Sequence, residues 1–174
     1  MEHLRRINME KYTQPFQITI DTKLREFQYK HLMNIIPNNS FLYKCKISES
    51  NLCDFCNMSI DSTSHMFWEC QIIQTFWADI QNFLQTKLSR TITLSFEKIS
   101  FCNVLSNSDD DGLIINYITL LSKYFIFKNK CNKSIPTCQA FQNYLIERKK
   151  IEENISLHKG KLKFCVTKWQ KIIS

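Results

Sequence analysis

Apolar residues recur along most of this chain at three- and four-residue steps, the spacing of amphipathic helices. Helices are predicted over about 21–36, 113–130, 137–156 and 161–172, with one short helical turn over 40–44. Another helical pattern follows Thr63, and its apolar positions are Phe67, Ile73, Phe76, Trp77, Ile80, Phe83 and Leu84. The pattern predicts a mainly α fold, a helical bundle.

Three segments do not follow this pattern. Residues 13–20 contain Pro15 and alternate loosely, which predicts an extended N-terminal segment. Residues 91–104 are β-rich in composition but irregular, so a short strand and a packed loop both fit them. The acidic turn SNSDDDG, residues 106–112, is predicted to cap the following helix and to oppose its dipole.

Composition narrows the class of protein. The chain has 174 residues, 44% hydrophobic and 22% charged, which predicts a packed globular body. With 2 Gly and 3 Pro it has few of the turns that a β-sandwich needs. No run of about 18 apolar residues is present, so no membrane partner is expected. The start MEHLRRINMEKY lacks the apolar stretch of a signal peptide, which favours an intracellular location, nuclear or cytoplasmic.

A cluster of cysteines and one histidine is the strongest chemical signal. Residues 53–70 read CDFCNMSIDSTSHMFWEC and offer Cys53, Cys56, His65 and Cys70. Three cysteines and one histidine are a common tetrahedral set for zinc, and the CxxC loop can aim backbone N–H groups at its sulfurs. Four protein ligands leave no position for water, so such a site is structural. A Cys53–Cys56 redox pair, or buried thiols beside a core histidine, are the alternatives.

The spacing of the last two ligands sets a geometric condition. In a straight α-helix, five residues separate two side chains by about 140°. His65 and Cys70 could not then share one ion, so we predict a break in the helix near 67–69. Three thiolates and a neutral imidazole leave a net negative charge on a zinc site, and we expect Lys44 and Lys46 to offset it.

The net charge of +7 comes from the last third of the chain, where basic residues far outnumber acidic ones. Such a surface attracts polyanions, although a basic helix face is also often only solvated. Phe55, inside the CxxC loop, is expected to be exposed and to stack on an unpaired base. The candidate phosphate contacts are Lys128, Lys130, Arg148, Lys149, Lys150, Lys159, Lys161 and Lys163.

Residues 15–85 contain a series of motifs in a fixed order. They are the predicted helix at 24–36, Phe41–Leu42–Tyr43, Cys53 to Cys56, His65–Met66–Phe67, Cys70 and Phe76–Trp77. With these motifs, residues 15–85 resemble the zinc-binding C-terminal domain of reverse transcriptases from LINE-type (non-LTR) retrotransposons. The chain departs from the family at 61–64, where Glu-Thr or Glu-Ser is common, and at Gln71, where proline is common. Neither departure removes a zinc ligand.

The resemblance implies a non-catalytic, zinc-stabilised module from the C-terminal end of a longer polyprotein. This module is expected to bind RNA or DNA. The reverse transcriptase body of the same polyprotein is a further candidate partner. The alternative is a structural module that docks on the polymerase without binding nucleic acid. The chain shows no polymerase or endonuclease catalytic residues, so we expect no enzyme activity. The chain is expected to divide into an extended segment 1–20, a zinc-binding helical subdomain 21–88, an irregular connector 89–112 and a basic helical subdomain 113–174. The CxxC/HxxxxC zinc-knuckle loop is expected between the first and second long helices.

Overall fold

A computed structural model describes residues 17–105, 109–158 and 162–173, and within them the chain is mainly helical. A π-helical turn over His65–Glu69 leads into the third helix. The α-helices are α1 (Thr22–Leu32), α2 (Asn39–Lys44), α3 (Gln71–Leu88), α4 (Phe96–Phe101), α5 (Asp110–Cys131), α6 (Cys138–His158) and α7 (Leu162–Ile173).

Aspartates cap two of these helices, and the sequence predicted the cap within the acidic turn. The Asp21 carboxylate accepts a hydrogen bond of 2.8 Å from the backbone N–H of Lys23 at the start of α1. Asp109 does the same for α5, accepting from the N–H of Gly112 at 2.6 Å. Each carboxylate satisfies a backbone donor that has no partner within its helix. The acidic turn therefore includes a helix cap.

Three details of the helix prediction were wrong. Helix α1 ends at Leu32 and Asn34 takes a left-handed conformation (φ 54°), so the helix stops before 36. Residues 17 and 18 are helical, not extended, and the rest of the predicted extended segment before them lies outside the described residues. Helix α4 occupies the middle of 91–104, where a strand or a packed loop was expected, so the connector 89–112 is not irregular throughout.

Helix α5 lies at the centre of the fold. It contacts α1, α3, α4 and the π-helical turn, while α3 also contacts α6 and α7, which pack on each other. Side chains on several sides of α5 are buried, among them Ile115, Tyr117 and Leu121. An aromatic group of Phe76, Phe125 and Phe141 joins α3, α5 and α6. The predicted subdomains 21–88 and 113–174 thus share one hydrophobic core.

Buried polar contacts fix how the helices meet. Lys123 of α5 donates to the Gln28 side-chain oxygen of α1 at 2.5 Å and to the backbone carbonyl of Ser100 at 3.0 Å. Glu152 of α6 forms a buried ion pair with Lys168 of α7. Such groups are stable inside a protein only when they are paired or hydrogen-bonded, so they specify the helix arrangement. None of the described helices combines the length and the apolar character needed to cross a bilayer.

Candidate metal centre

The loop that carries the first two cysteines is closed by its own backbone. The Cys53 N–H donates to the Ser59 carbonyl at 2.9 Å, and the Asn57 N–H donates to the Cys53 carbonyl at 2.8 Å. Asn57 has a positive φ of 54°, a conformation that asparagine tolerates better than most residues. An isolated antiparallel bridge between Leu52 and Ile60 completes the loop. These contacts hold both cysteines on a tight turn.

The π-helical turn allows His65 and Cys70, five residues apart, to face the same side. The Cys70 N–H donates to the His65 carbonyl at 3.1 Å, which is the five-residue step of a π-helix. Five residues then return to nearly the same face, whereas in an α-helix they would not. Cys70 itself is extended (φ −61°, ψ 127°) and precedes α3. The regular α-helix is therefore interrupted from His65 to Cys70, a stretch that includes the predicted break near 67–69.

The structure brings together all four side chains that the sequence selected. Their ligand atoms lie within 4.8 Å of one another. The sulfurs of Cys53 and Cys70 are 4.0 Å apart, and the Cys56 sulfur is 3.4 Å from His65 Nε2. Tetrahedral zinc at ordinary bond lengths would place two sulfurs about 3.8 Å apart and a sulfur and a nitrogen about 3.5 Å apart. These two distances are close to the tetrahedral values, so the cluster could hold a metal ion.

Backbone N–H groups surround the three sulfurs. They partly neutralise a thiolate and favour it over the thiol, because they stabilise negative charge on sulfur. The residues whose N–H groups do this are Phe55 and Cys56 for Cys53, Met58 and Ser59 for Cys56, and Ile72 and Ile73 for Cys70. The CxxC loop thus aims its backbone at sulfur as its sequence predicted. Lys44 and Lys46, expected to offset the charge, are exposed.

The three thiols differ in acidity. Burial raises the pKa of Cys53 to about 12 and also raises the pKa of Cys70, and in both cases the N–H groups oppose burial without overcoming it. Burial raises the pKa of Cys56 as well, but there the N–H groups and the His65 ring outweigh it and bring the pKa to about 6. A metal ion at the cluster would deprotonate its thiol ligands outright.

Lys130 attaches the cysteine loop to the central helix. Its buried ammonium group pairs with Asp54, inside the CxxC loop, and with Asp61 at 2.7 Å. It also donates to the Asn39 side-chain oxygen at 2.9 Å, and the Asn39 backbone N–H donates to Asp61 at 2.7 Å. Burial lowers the pKa of Lys130, but the two carboxylates outweigh burial and raise it. Lys130 is therefore an internal ion-pair partner and not the exposed phosphate contact that was predicted.

Two further residues predicted to contact nucleic acid are also buried. Phe55 is only 7% exposed and belongs to the hydrophobic core, so it offers no stacking surface. Arg148 is 6% exposed and pairs with the buried carboxylate of Asp21, which α1 carries at its N-terminus. A guanidinium already bound in this way is not available to a phosphate.

The remaining predicted phosphate contacts either are accessible to solvent or lie outside the described residues. Lys128 and Lys150 are exposed and Lys149 is half-buried. The Lys128 ammonium also lies 5.1 Å from the centroid of the Tyr144 ring. Lys159 and Lys161 lie outside the described residues, as does the side chain of Lys163. The described basic surface is thus smaller than the sequence suggested.

Sequence reasoning missed the acidic residues that support the cluster. Asp54 and Asp61 frame the CxxC loop and bind Lys130 between them, and Asn39 joins them. A carboxylate between two clustered cysteines was a visible signal, but its partner is far away in the sequence. Comparison of the chain with known protein families, with curated proteins and with solved structures found no match. The features described define a mainly helical protein with a Cys₃His cluster able to hold a metal ion.

Proposed function

We propose that Cys53, Cys56, His65 and Cys70 hold one structural zinc ion. The observation that carries this proposal is the convergence of four donor atoms within 4.8 Å. A closed set of four protein ligands leaves zinc no position at which to activate water, so the ion stabilises the fold. Structural zinc contributes on the order of 10–16 kcal/mol of apparent binding free energy in small peptides, as much as a whole domain's stability.

Metal content tests the zinc proposal. Protein purified without added metal should contain about one zinc per chain, and Cys56→Ser should lose the zinc and the cooperative thermal transition. Cys45→Ser is the matched control, because Cys45 is exposed and lies outside the cluster. Wild-type protein that melts cooperatively without any bound metal, or full zinc content in Cys56→Ser, would refute the proposal.

The zinc-stabilised fold is proposed to serve as a non-catalytic module at the C-terminal end of a LINE-type reverse transcriptase, binding RNA or DNA. Support comes from the resemblance of residues 15–85 and from the positive net charge of +7. Lys128 of α5 and Lys149 and Lys150 of α6 are the predicted phosphate contacts that remain accessible. Their side chains extend from two different helices, so they would contact a strand at more than one phosphate.

The salt dependence of RNA binding tests this role. Changing all three accessible lysines to glutamine should weaken binding of a single-stranded RNA and reduce the slope of log K against log salt by about 2, since each phosphate contact contributes about 0.7. The altered residues are Lys128, Lys149 and Lys150. A matched control changes two other exposed lysines and one half-buried lysine, namely Lys23, Lys30 and Lys98. Equal slopes for the two triple variants would refute the assignment of these contacts.

Docking on the polymerase is the second candidate, and one surface favours it. Helix α2 has no buried residue, and its Phe41 and Tyr43 are 55% and 51% exposed. Ile47, Met58 and Ile60 around the cysteine loop are also more than half exposed. Apolar side chains grouped on a surface are typical of protein contacts. RNA affinity no better than that of a generic basic protein of the same charge would favour docking over nucleic-acid binding.

A further inference from the structure

A cleft of about 540 Å³ opens beside the cysteine cluster. Its walls are the end of α1, helix α2, residues 62–64 and helix α4. Two phenylalanines on different walls keep accessible rings: Phe41 of α2 is 55% exposed and Phe96 of α4 is 36% exposed. This volume is within the range of small-molecule sites, about 300–1,000 Å³, and aromatic walls suit a flat, apolar-faced ligand.

Most of the other residues that line the cleft are polar and uncharged. Thr63 connects two walls, because its hydroxyl donates to the Asn34 side-chain oxygen at 2.6 Å and accepts from the Asn38 amide at 3.1 Å. The hydroxyls of Ser62 and Ser64 are 3.0 Å apart at the same wall. Amides and hydroxyls can both donate and accept hydrogen bonds, so this lining can match the mixed edge of a heterocycle.

The charged side chain that lines the cleft is positive. Lys44 is exposed at the cleft, and no carboxylate is among the described residues that line it. The only formal charge at the cleft is therefore positive. A ligand that carries a negative group next to a flat polar ring would satisfy both the ammonium group and the aromatic walls.

A buried polar atom at the cleft has no partner. His31 lines the cleft and is 6% exposed, and its Nδ1 has no hydrogen bond to any described residue. Burial and the nearby Lys123 cation lower the pKa of His31 to about 2, so the ring is neutral and carries one donor and one acceptor. The hydroxyl of Ser100, also in the lining, has no partner either. Buried polar groups are rarely left unpaired, and these two are polar groups of the lining that lack a partner among the described residues.

We propose that this cleft binds one unpaired base of a single-stranded nucleic acid. The base stacks on Phe41, the more exposed of the two rings, its edge bonds to the amides and hydroxyls, and Lys44 contacts the adjacent phosphate. This inference rests on the proposed nucleic-acid binding and locates it on a surface that charge alone did not select. Base stacking on an aromatic side chain is tolerant of sequence, so little base preference is expected.

The Cys₃His cluster lies next to one wall of this site and supports it. Residues 62–64 come directly before His65, and the His65 N–H donates to the Ser62 hydroxyl at 3.0 Å. A metal ion that fixes His65 therefore also fixes this wall of the cleft. The same segment reaches α1 through Thr63 and Asn34. Chelation of the metal should accordingly weaken base binding.

The test measures the binding of a fluorescently labelled single-stranded RNA. Phe41→Ala should weaken binding on the order of tenfold, as loss of a stacking ring does. Tyr43→Ala is the matched control, because Tyr43 is 51% exposed on the same helix but does not line the cleft. Lys44→Gln is compared in the same way with Lys23→Gln. Zinc content and circular dichroism establish that each variant is folded.

A second strand with the same backbone and abasic positions separates stacking from charge. Wild-type protein should bind it more weakly than the normal strand, and Phe41→Ala should bind both strands alike. If RNA binds but Phe41→Ala equals Tyr43→Ala, the cleft is not the site and the proposed function remains. If Phe41→Ala loses affinity equally for both strands, no base stacks there and the inference is refuted. If wild-type protein binds neither this RNA nor a single-stranded DNA of the same sequence, both this inference and the proposed nucleic-acid binding are refuted.

Discussion

The buried imidazole of His31 should make the stability of this protein depend on pH. Its pKa in the folded protein is lowered to about 2, first by burial and second by the Lys123 cation, whereas in the unfolded chain it should be about 6.5. Between these values the unfolded chain binds a proton that the folded protein does not. The stability contributed by the neutral ring is therefore complete above about pH 6.5 and is lost as the pH falls below it.

Urea unfolding at several pH values measures this effect. Well below pH 6.5, wild type should lose about 1.4 kcal/mol more per pH unit than His31→Gln, which cannot take up the proton. Acid release of metal affects both proteins, so the difference between them reports His31. His158→Gln removes an exposed histidine and should follow wild type. Parallel pH profiles for His31→Gln and wild type would contradict the prediction.

Three predicted nucleic-acid contacts were wrong because the side chains are buried. Lys130 and Arg148 look like phosphate contacts in a basic stretch, yet both are buried against aspartates. Phe55 looks like an exposed aromatic residue of a loop, yet it is packed in the core. A residue's type shows which interactions it can make, and its neighbours in space decide which one it does make.

At the scale of helices, α1 and α5 are joined by a polar contact that should be measurable. Lys123 is fully buried, and its ammonium group is held by the Gln28 oxygen and the Ser100 carbonyl. Gln28→Leu leaves the cation without one of its acceptors and should cost about 3 kcal/mol of unfolding free energy, since removing one partner of a buried charge is strongly destabilising. Lys123→Met should cost less, because no charge remains to be satisfied.

The double variant completes the cycle. Gln28→Leu with Lys123→Met should be more stable than the sum of the two single effects predicts, by about 1–3 kcal/mol, since the two residues share one contact. Chemical unfolding at neutral pH with saturating zinc provides the four free energies. Strictly additive effects would show that the contact contributes nothing to the packing of α1 on α5.

Helix positions were largely predictable, because apolar periodicity and capping residues act over a few residues. Helices α5, α6 and α7 lie within a few residues of their predicted limits. Helix α4 was missed, since its six residues are too few to show a period. Helix α1 also buries the polar Gln28, which apolar periodicity does not predict, because Lys123 of α5 provides Gln28 with a partner.

At the scale of the whole molecule, one shared core implies that loss of the proposed zinc ion would affect the entire fold. The π-helical turn contacts α5 and α3, and α3 in turn contacts α6 and α7. If the proposed zinc is bound, removing it with a chelator should therefore reduce amide hydrogen-exchange protection in α6 as well as in the cysteine loop. Protection in both regions should return when zinc is added back.

Two independent subdomains would behave differently. Protection of α6 that survives chelation, while the loop and α1 exchange freely, would contradict a single cooperative unit. Cys56→Ser measured without a chelator is the second arm, because it removes one ligand and leaves the rest of the chain unchanged. Its exchange pattern should match that of the chelated wild type.

The sequence by itself determined the helical fold class and the four candidate ligands, because these depend on short-range spacing. Only the tertiary structure decided how five residues from His65 to Cys70 could face one ion, through a π-helical turn. It also decided which cations remain accessible. Lys130 lies 76 residues from Asp54 and Arg148 lies 127 residues from Asp21. Whether a charge meets water or a carboxylate depends on such distant partners, which packing alone brings together.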